Sequence, residues 1–265
     1  MKKHIAITAS ALAFIAAGCA GSAPVGPPGM PAADYAAALA APGRAVKLEG
    51  QQAADNADDA ARKPAEVLAF ADLRKGDRVL ELEAGRGWYS EIISTAIGPT
   101  GELIAQYPPE FAYGDAAFKA RKDAGRLTNT TITKSHFDTL DVASNSVDRV
   151  LWILGPHELY YKPANSTGLG ADDKAYAEIK RVLKPGGMFV VMDHAAEKGS
   201  PTTTGQTIHR IDPSIVLSSA QSAGFVYVAK SDILANPNDD RTKAPFGADI
   251  RRHTDQFLFK FRKPG

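Results

Sequence analysis

Val79 to Tyr89 reads VLELEAGRGWY, an apolar run that meets two acids, crosses a glycine turn and opens an amphipathic helix. Val79, Leu80 and Leu82 suit a short buried strand, and Gly85 and Gly87 allow a tight turn that residues with a Cβ resist. From Trp88 onward, Trp88, Tyr89, Ile92, Ile93, Ala96 and Ile97 recur on one helical face, and Gly98-Pro99 stops the helix. Such a turn lets a bound group approach the backbone and points the free N–H groups of the helix at it. A plain strand-to-helix connection has the same local pattern, so the surrounding chain has to decide between them.

Working outward, strands and helices alternate. On the N-terminal side Pro64 fits a first helical turn, with Val67, Leu68, Phe70, Ala71 and Leu73 as the apolar face before Lys75-Gly76-Asp77. Downstream, residues 102–106 are expected to form a second strand, 111–126 a helix and 130–134 a third strand. SVDRVLWIL at 146–154 is a continuous apolar strand of the kind buried on both faces of a parallel sheet, and it runs into Gly155-Pro156-His157. A helix over 172–183 leads through Lys184-Pro185-Gly186-Gly187 into a strand at 188–192. The end of the chain departs from this rhythm. A helix at 213–224 is followed by strands at 225–230 and 255–262 with only a polar loop at 236–247 between them, which predicts an antiparallel hairpin at one edge of an α/β, doubly wound sheet.

The chain has 265 residues, 44% hydrophobic, enough for one full core. Its 31 basic and 30 acidic residues give a formal charge of +1 without a basic stripe, so nothing points to nucleic acid. Lys2 and Lys3, an apolar run from Ile5 to Ala17, and Ala16-Ala17-Gly18-Cys19 have the order of an export signal. They resemble a bacterial lipoprotein signal, with Cys19 as the lipid-bearing first residue, although Ala16 stands where such signals usually carry Leu; ordinary secretion with cleavage among Ala17 to Ala23 is the alternative. Losing residues 1–18 removes two lysines and no acid and leaves a charge of −1, so membrane attachment would depend on the lipid. The expected organisation is a signal at 1–18, a tether with loose helices at 19–61, and a folded domain at 62–265. The location expected is outside the cytoplasm, periplasmic and anchored at Cys19.

VLELEAGRG at 79–87, SVDRVLWIL at 146–154, AEIKRVLKPGG at 177–187 and FVVMDH at 189–194 together resemble the class I S-adenosylmethionine-dependent methyltransferases. RKPAEVLAF, GWYSEI, VMDH and SDILANPNDD are more narrowly similar to predicted bacterial methyltransferases that often carry export signals. The resemblance implies a seven-stranded Rossmann-like sheet with an antiparallel last strand, S-adenosylmethionine as cofactor, and a small-molecule acceptor that it does not name. It implies that Glu81 is the acid ending the first strand and that Gly85 and Gly87 are two of the three cofactor glycines. Glu83 replaces the first glycine, where its carboxylate could meet the ammonium or sulfonium of the cofactor. Gln106 stands where members usually carry an acid for the ribose, and Asp138 matches an adenine contact. These departures leave open a methyltransferase-like binding module that has lost catalysis.

His157 after the fourth strand and Asp193 and His194 at the end of the fifth share the carboxyl edge of the sheet, where ligands bind. His157 is the first candidate for a base, with Asp193 or His194 next. No metal site is expected, since the histidines, His209 included, have no paired ligand spacing. Trp88, Tyr89 and Trp152 are either pocket wall or core, and Arg62 and Arg210 either clamps for an anionic group or solvated surface arginines.

Overall fold

The computed structural model describes residues 29–31, 35–48 and 53–265. The signal, Cys19 and most of the expected tether lie outside the described residues. No helix among the described residues is long and apolar enough to cross a membrane.

Seven strands form one sheet: β1 Arg78–Leu82, β2 Glu102–Tyr107, β3 Thr130–Lys134, β4 Val147–Ile153, β5 Leu183–His194, β6 Val226–Ser231 and β7 Gln256–Arg262. Their order is β3-β2-β1-β4-β5-β7-β6. The first five run parallel, and β7 is antiparallel to both β5 and β6. Between β1 and β4 the winding reverses, and that switch point opens a crevice beyond the carboxyl ends of the two strands. The expected edge hairpin is therefore β6–β7, inserted beside β5.

Helices cover both faces: α1 Ala36–Leu39, α2 Asp59–Arg62, α3 Pro64–Phe70, α4 Trp88–Ile97, α5 Asp115–Asp123, α6 Asp172–Val182, α7 Thr203–Ile208 and α8 Pro213–Ser222. Strand alternation divides the core. Leu80, Leu82, Val150, Trp152, Phe189 and Val191 point to the layer containing Tyr176 and Ile179 of α6 and Val216 of α8. Val79, Leu151, Ile153, Val190 and Met192 point to the layer built from Val67 and Leu68 of α3 and Ile92 and Ile93 of α4. Glu81 shares this second face, which puts its carboxyl against α4.

Three expectations are corrected. The helix foreseen at 111–126 is a 3-10 turn, Pro109–Gly114, followed by α5. There the added Cβ of any residue replacing Gly114 would lie 2.2 Å from the Gly85 carbonyl oxygen, so the turn leans directly on the glycine loop. The Lys184–Gly187 segment belongs to β5, because the chain end brackets it: Gly186 N–H donates to Lys263 O at 3.0 Å and Lys263 N–H to Gly187 O at 2.9 Å. The third concerns the start of the domain. Tyr35 is fully buried and its hydroxyl donates to Leu68 O. Asp55 is also buried, so the packed domain begins well before Arg62.

Candidate active site

A cavity of about 510 Å3 lies at the switch point, within the range of small-molecule sites. The turn after β1 forms one wall with Glu81, Glu83, Gly85 and Arg86; the segments after β4 and β5 form the other with His157, Glu158 and His194. Residues 53–62 and the loop carrying Phe246 close the mouth.

The glycine turn fits a group pressed against backbone. Gly85 has φ +55, and a Cβ there would find nothing nearer than Glu83 O at 3.9 Å, so its side-chain position is open. Gly87, φ +79, starts α4 where a Cβ would crowd Arg121 and Phe118 at 3.1 and 3.2 Å. Glu83 holds φ +57, the left-handed conformation natural to glycine. The residue is half-buried, yet its Oε2 is sealed from solvent and, among the described residues, without a hydrogen-bond partner. Its Oε1 accepts a long bond, 3.4 Å, from the Tyr113 hydroxyl. Burial, and then the neighbouring Glu158 carboxylate, push Glu83 from 4.5 up to about 8. Burial likewise pushes Glu81 to about 8, although Ser90 Oγ donates to it at 2.5 Å. Among the described residues neither carboxyl on the β1 side makes a direct ion pair, the charges of Arg121 and His157 acting on them only from a distance, and a cationic ligand would supply a direct partner. The turn and its acids fit the methionine end of S-adenosylmethionine.

The other two expected cofactor contacts do not reach the cavity wall. Gln106 is fully buried, with Nε2 donating to Ser135 O at 2.5 Å and Oε1 accepting Glu83 N–H at 3.4 Å. Asp138 accepts the Ala171 N–H at 3.0 Å, stapling the entrance to α6.

The three catalytic candidates do come together, in unequal roles. Asp193 is completely buried; it accepts both the backbone N–H of His157 at 2.8 Å and the ring Nδ1–H at 2.8 Å. On the far side of the ring, Nε2 lies 3.2 Å from Glu158 Oε1. Burial opposes a charge on His157, but Asp193 and then Glu158 overcome it and raise the imidazole from 6.5 to about 10. Glu158 moves the other way: burial alone would raise it, yet His157 and His209 hold it down at about 2. His157 is therefore a cation between two carboxylates, not the free base expected from its position. His194 lines the cavity with Nδ1 bonded to Thr254 Oγ1 at 2.7 Å. Burial and the positive charges of His157 and Arg210 depress it well below 6.5, so it stays neutral.

Glu158 is the site residue the sequence did not single out, while His209, named there only among histidines without paired ligand spacing, is gathered into the site by the fold. His209 comes from 52 residues beyond His157, at the end of α7 with φ +49. Gly205 makes the meeting possible, since a Cβ there would lie 2.5 Å from the His157 carbonyl oxygen. His209 Nδ1 then stands 3.3 Å from His157 Nε2, between the rings of Tyr161 and Phe246.

Trp88 and Tyr89 are cavity wall, Trp88 tied by Nε1–H to Asp55 O at 2.8 Å and covered by the Arg62 guanidinium. Trp152 is core, packed between Phe137 and Tyr176. Arg210 is a structural clamp: fully buried, it pairs with Asp239 at 2.8 Å and donates to Lys243 O, fixing the 236–247 loop. A second buried network holds residues 53–62 in place. Arg121 pairs with Asp55 at 2.7 Å and with Glu91, and Arg126 joins both acids.

No family model matches the chain. Among curated proteins it is similar to the ubiquinone/menaquinone biosynthesis C-methyltransferase UbiE of Haemophilus ducreyi, 27% identical over 182 residues, 67% of this chain and 65% of that one. The UbiE of Pasteurella multocida is 29% identical over 127 residues, 48% of this chain and 43% of the relative. The chain thus spans less than two thirds of the length of these relatives. Among solved structures, a SAM-dependent methyltransferase from Aquifex aeolicus superposes with TM-score 0.55 at 20% identity, covering 78% of this chain and 98% of that one. Phosphoethanolamine N-methyltransferase 2 of Haemonchus contortus, in complex with S-adenosyl-L-methionine, gives 0.55 at 14% identity, covering 77% and 53%. The chain has the fold of the class I S-adenosylmethionine-dependent methyltransferases, and its curated relatives at low identity are C-methyltransferases.

Proposed function

We propose that this protein transfers a methyl group from S-adenosylmethionine to a small molecule whose acceptor atom is, or becomes, anionic. The observation that carries the reading is the pairing of an open glycine turn and two buried carboxyls of raised pKa on one cavity wall with a histidine–carboxylate cluster on the other. When bound, S-adenosylmethionine supplies an electrophilic methyl on a cationic sulfur. Gly85 leaves the backbone open to it, and Glu83 offers a carboxylate to its positive groups. Across the cavity Asp193 fixes the His157 ring, and the His157–Glu158 pair forms the polar wall against which the acceptor is oriented. His194, held neutral by burial and its cationic neighbours, lines the cavity as a hydrogen-bonding imidazole beside the acceptor. In-line displacement needs little more than this alignment.

The curated relatives are C-methyltransferases of ubiquinone/menaquinone biosynthesis, and an activated ring or enolate carbon is the acceptor class we carry over from them. Calorimetric titration of the full chain with S-adenosylmethionine tests the reading. Micromolar binding, weakened when Gly85 is replaced by a bulky residue, is expected; no binding at millimolar cofactor overturns it.

A further inference from the structure

His157 Nε2 faces Glu158 Oε1 and His209 Nδ1, and a metal cation bound there would take the place of the Nε2 proton, which leaves to solvent. His157 Nε2, Glu158 Oε1 and His209 Nδ1 converge on one point, separated by 3.2, 3.3 and 3.8 Å. A tetrahedral zinc site with bonds of about 2.1 Å has ligand–ligand edges of about 3.4 Å, so the triangle already has the size that a metal ion imposes. Among the described residues this is the one group of three or more histidine or acidic side chains whose donor atoms gather in this way.

Three further features match a metal centre. His157 Nδ1–H is committed to the buried Asp193 carboxylate at 2.8 Å, the arrangement that fixes tautomer and ring orientation in metal-binding histidines and leaves Nε2 as the ligand. Glu158 Oε2 is buried and has no hydrogen-bond partner among the described residues, so the carboxylate has a second oxygen to offer. His209 is held at φ +49, a strained conformation outside glycine, by the α7 packing that delivers its Nδ1. Two imidazoles and one carboxylate suit a first-row divalent cation and leave coordination positions for other donors.

We propose that His157, Glu158 and His209 bind a divalent transition-metal ion, with Asp193 positioning His157 from behind. His157 and Glu158 line the cavity, so the remaining positions are available to an oxygen donor of the acceptor. That role in acceptor binding rests on the methyl-transfer reading; the site itself rests on the cluster.

Cobalt(II) alone is the probe. Untagged, chelator-treated full chain is titrated with Co2+ and followed by visible ligand-field absorption and by metal analysis after desalting. One cobalt per chain is expected, displaced by Zn2+. Glu158→Gln and His209→Asn each remove a ligand while keeping, respectively, the side-chain shape and a residue tolerant of positive φ; each is expected to weaken uptake at least tenfold. Asp193→Asn is expected to weaken it ten- to a hundredfold with the ligands intact. Absence of stoichiometric cobalt, or uptake unchanged in His209→Asn with native circular dichroism, overturns the proposal. Titration of the same samples with S-adenosylmethionine separates the two readings: cofactor binding without cobalt overturns the metal site alone, and cobalt without cofactor supports the site while the methyl-transfer reading fails.

Discussion

Replacing Glu83 by glycine is expected to stabilise the free protein and weaken its hold on the cofactor. The left-handed conformation at Glu83, φ +57, costs a residue with a Cβ about 1–2 kcal/mol, and glycine returns roughly 0.5–1 kcal/mol of that through the entropy of the unfolded chain. The carboxyl adds a second penalty. Raised from 4.5 to about 8 by burial and by Glu158, it keeps a proton in the folded state that the unfolded state releases at pH 7, which costs about 2 kcal/mol after allowance for its partial exposure. This penalty grows as pH rises from 4.5 towards 8 and vanishes below 4.5. Glu83→Gly is therefore expected to gain about 3 kcal/mol at pH 7, or roughly 10 °C in Tm, and only about 1 kcal/mol near pH 4.5. Against this, losing a charge-assisted contact to the cofactor ammonium costs about 1.5–3 kcal/mol, an affinity roughly ten- to a hundredfold weaker. Thermal unfolding and calorimetric titration with S-adenosylmethionine read the two effects. Glu83→Gln separates them further, since it keeps the strained backbone and loses only the charge. A glycine variant that melts no higher than wild type, or binds the cofactor as tightly, refutes the reasoning.

Three other expectations follow from single features. Arg121→Ala leaves the buried carboxylates of Asp55 and Glu91 to share Arg126 and is expected to cost about 3–5 kcal/mol by denaturant unfolding; a loss below about 1 kcal/mol would mean that Arg126 holds residues 53–62 unaided. Glu81, buried and raised from 4.5 to about 8, binds its proton more tightly in the folded state. Its contribution therefore favours folding most at low pH and declines as pH climbs through that window, by up to about 1.4 kcal/mol per pH unit. Glu81→Gln keeps an acceptor for Ser90 and should remove this decline, so parallel wild-type and variant stability profiles between pH 5 and 8 would disprove it. The N-terminal reading, which lies outside the described residues, predicts a diacyl or triacyl Cys19 as the mature terminus by mass spectrometry; an unmodified chain starting elsewhere rejects it.

The fold was legible because its signals are local. The apolar runs of β1 and β4, the apolar face of α4 and the stops at Gly98 and Gly224 each sit within one window of sequence, and the hairpin of β6 and β7 followed from the missing helix between them. The site was legible only where strand ends delivered it. His157, Asp193 and His194 share the carboxyl edge of the sheet, so topology alone brought them together, whereas His209 arrives by the close packing of Gly205 on the His157 turn, a contact without sequence periodicity. Charge state was the least legible. His157 reads as a base until Asp193 and Glu158 are seen on its two nitrogens, and Asp55 reads as tether until Arg121 is found against it.

The two departures in the cofactor region, Glu83 and Gln106, form one coupled feature. Gln106 Oε1 accepts the Glu83 N–H at 3.4 Å while its Nε2 donates to Ser135 O at 2.5 Å. The amide thus braces the backbone that holds Glu83 left-handed, and it does so from a fully buried position. An acid at 106 has no proton to donate to Ser135 O when ionised, and it would place another buried carboxylate beside Glu81 and Glu83. Once glutamate occupies the first glycine position, a neutral donor–acceptor at 106 is the residue that both supports the turn and avoids that repulsion. The two residues are therefore coupled through the turn, and Gln106→Glu is expected to destabilise the wild type by about 3 kcal/mol or more but to do so less in the Glu83→Gly background. Equal losses in the two backgrounds, measured as a double-mutant cycle, would show the two substitutions to be independent.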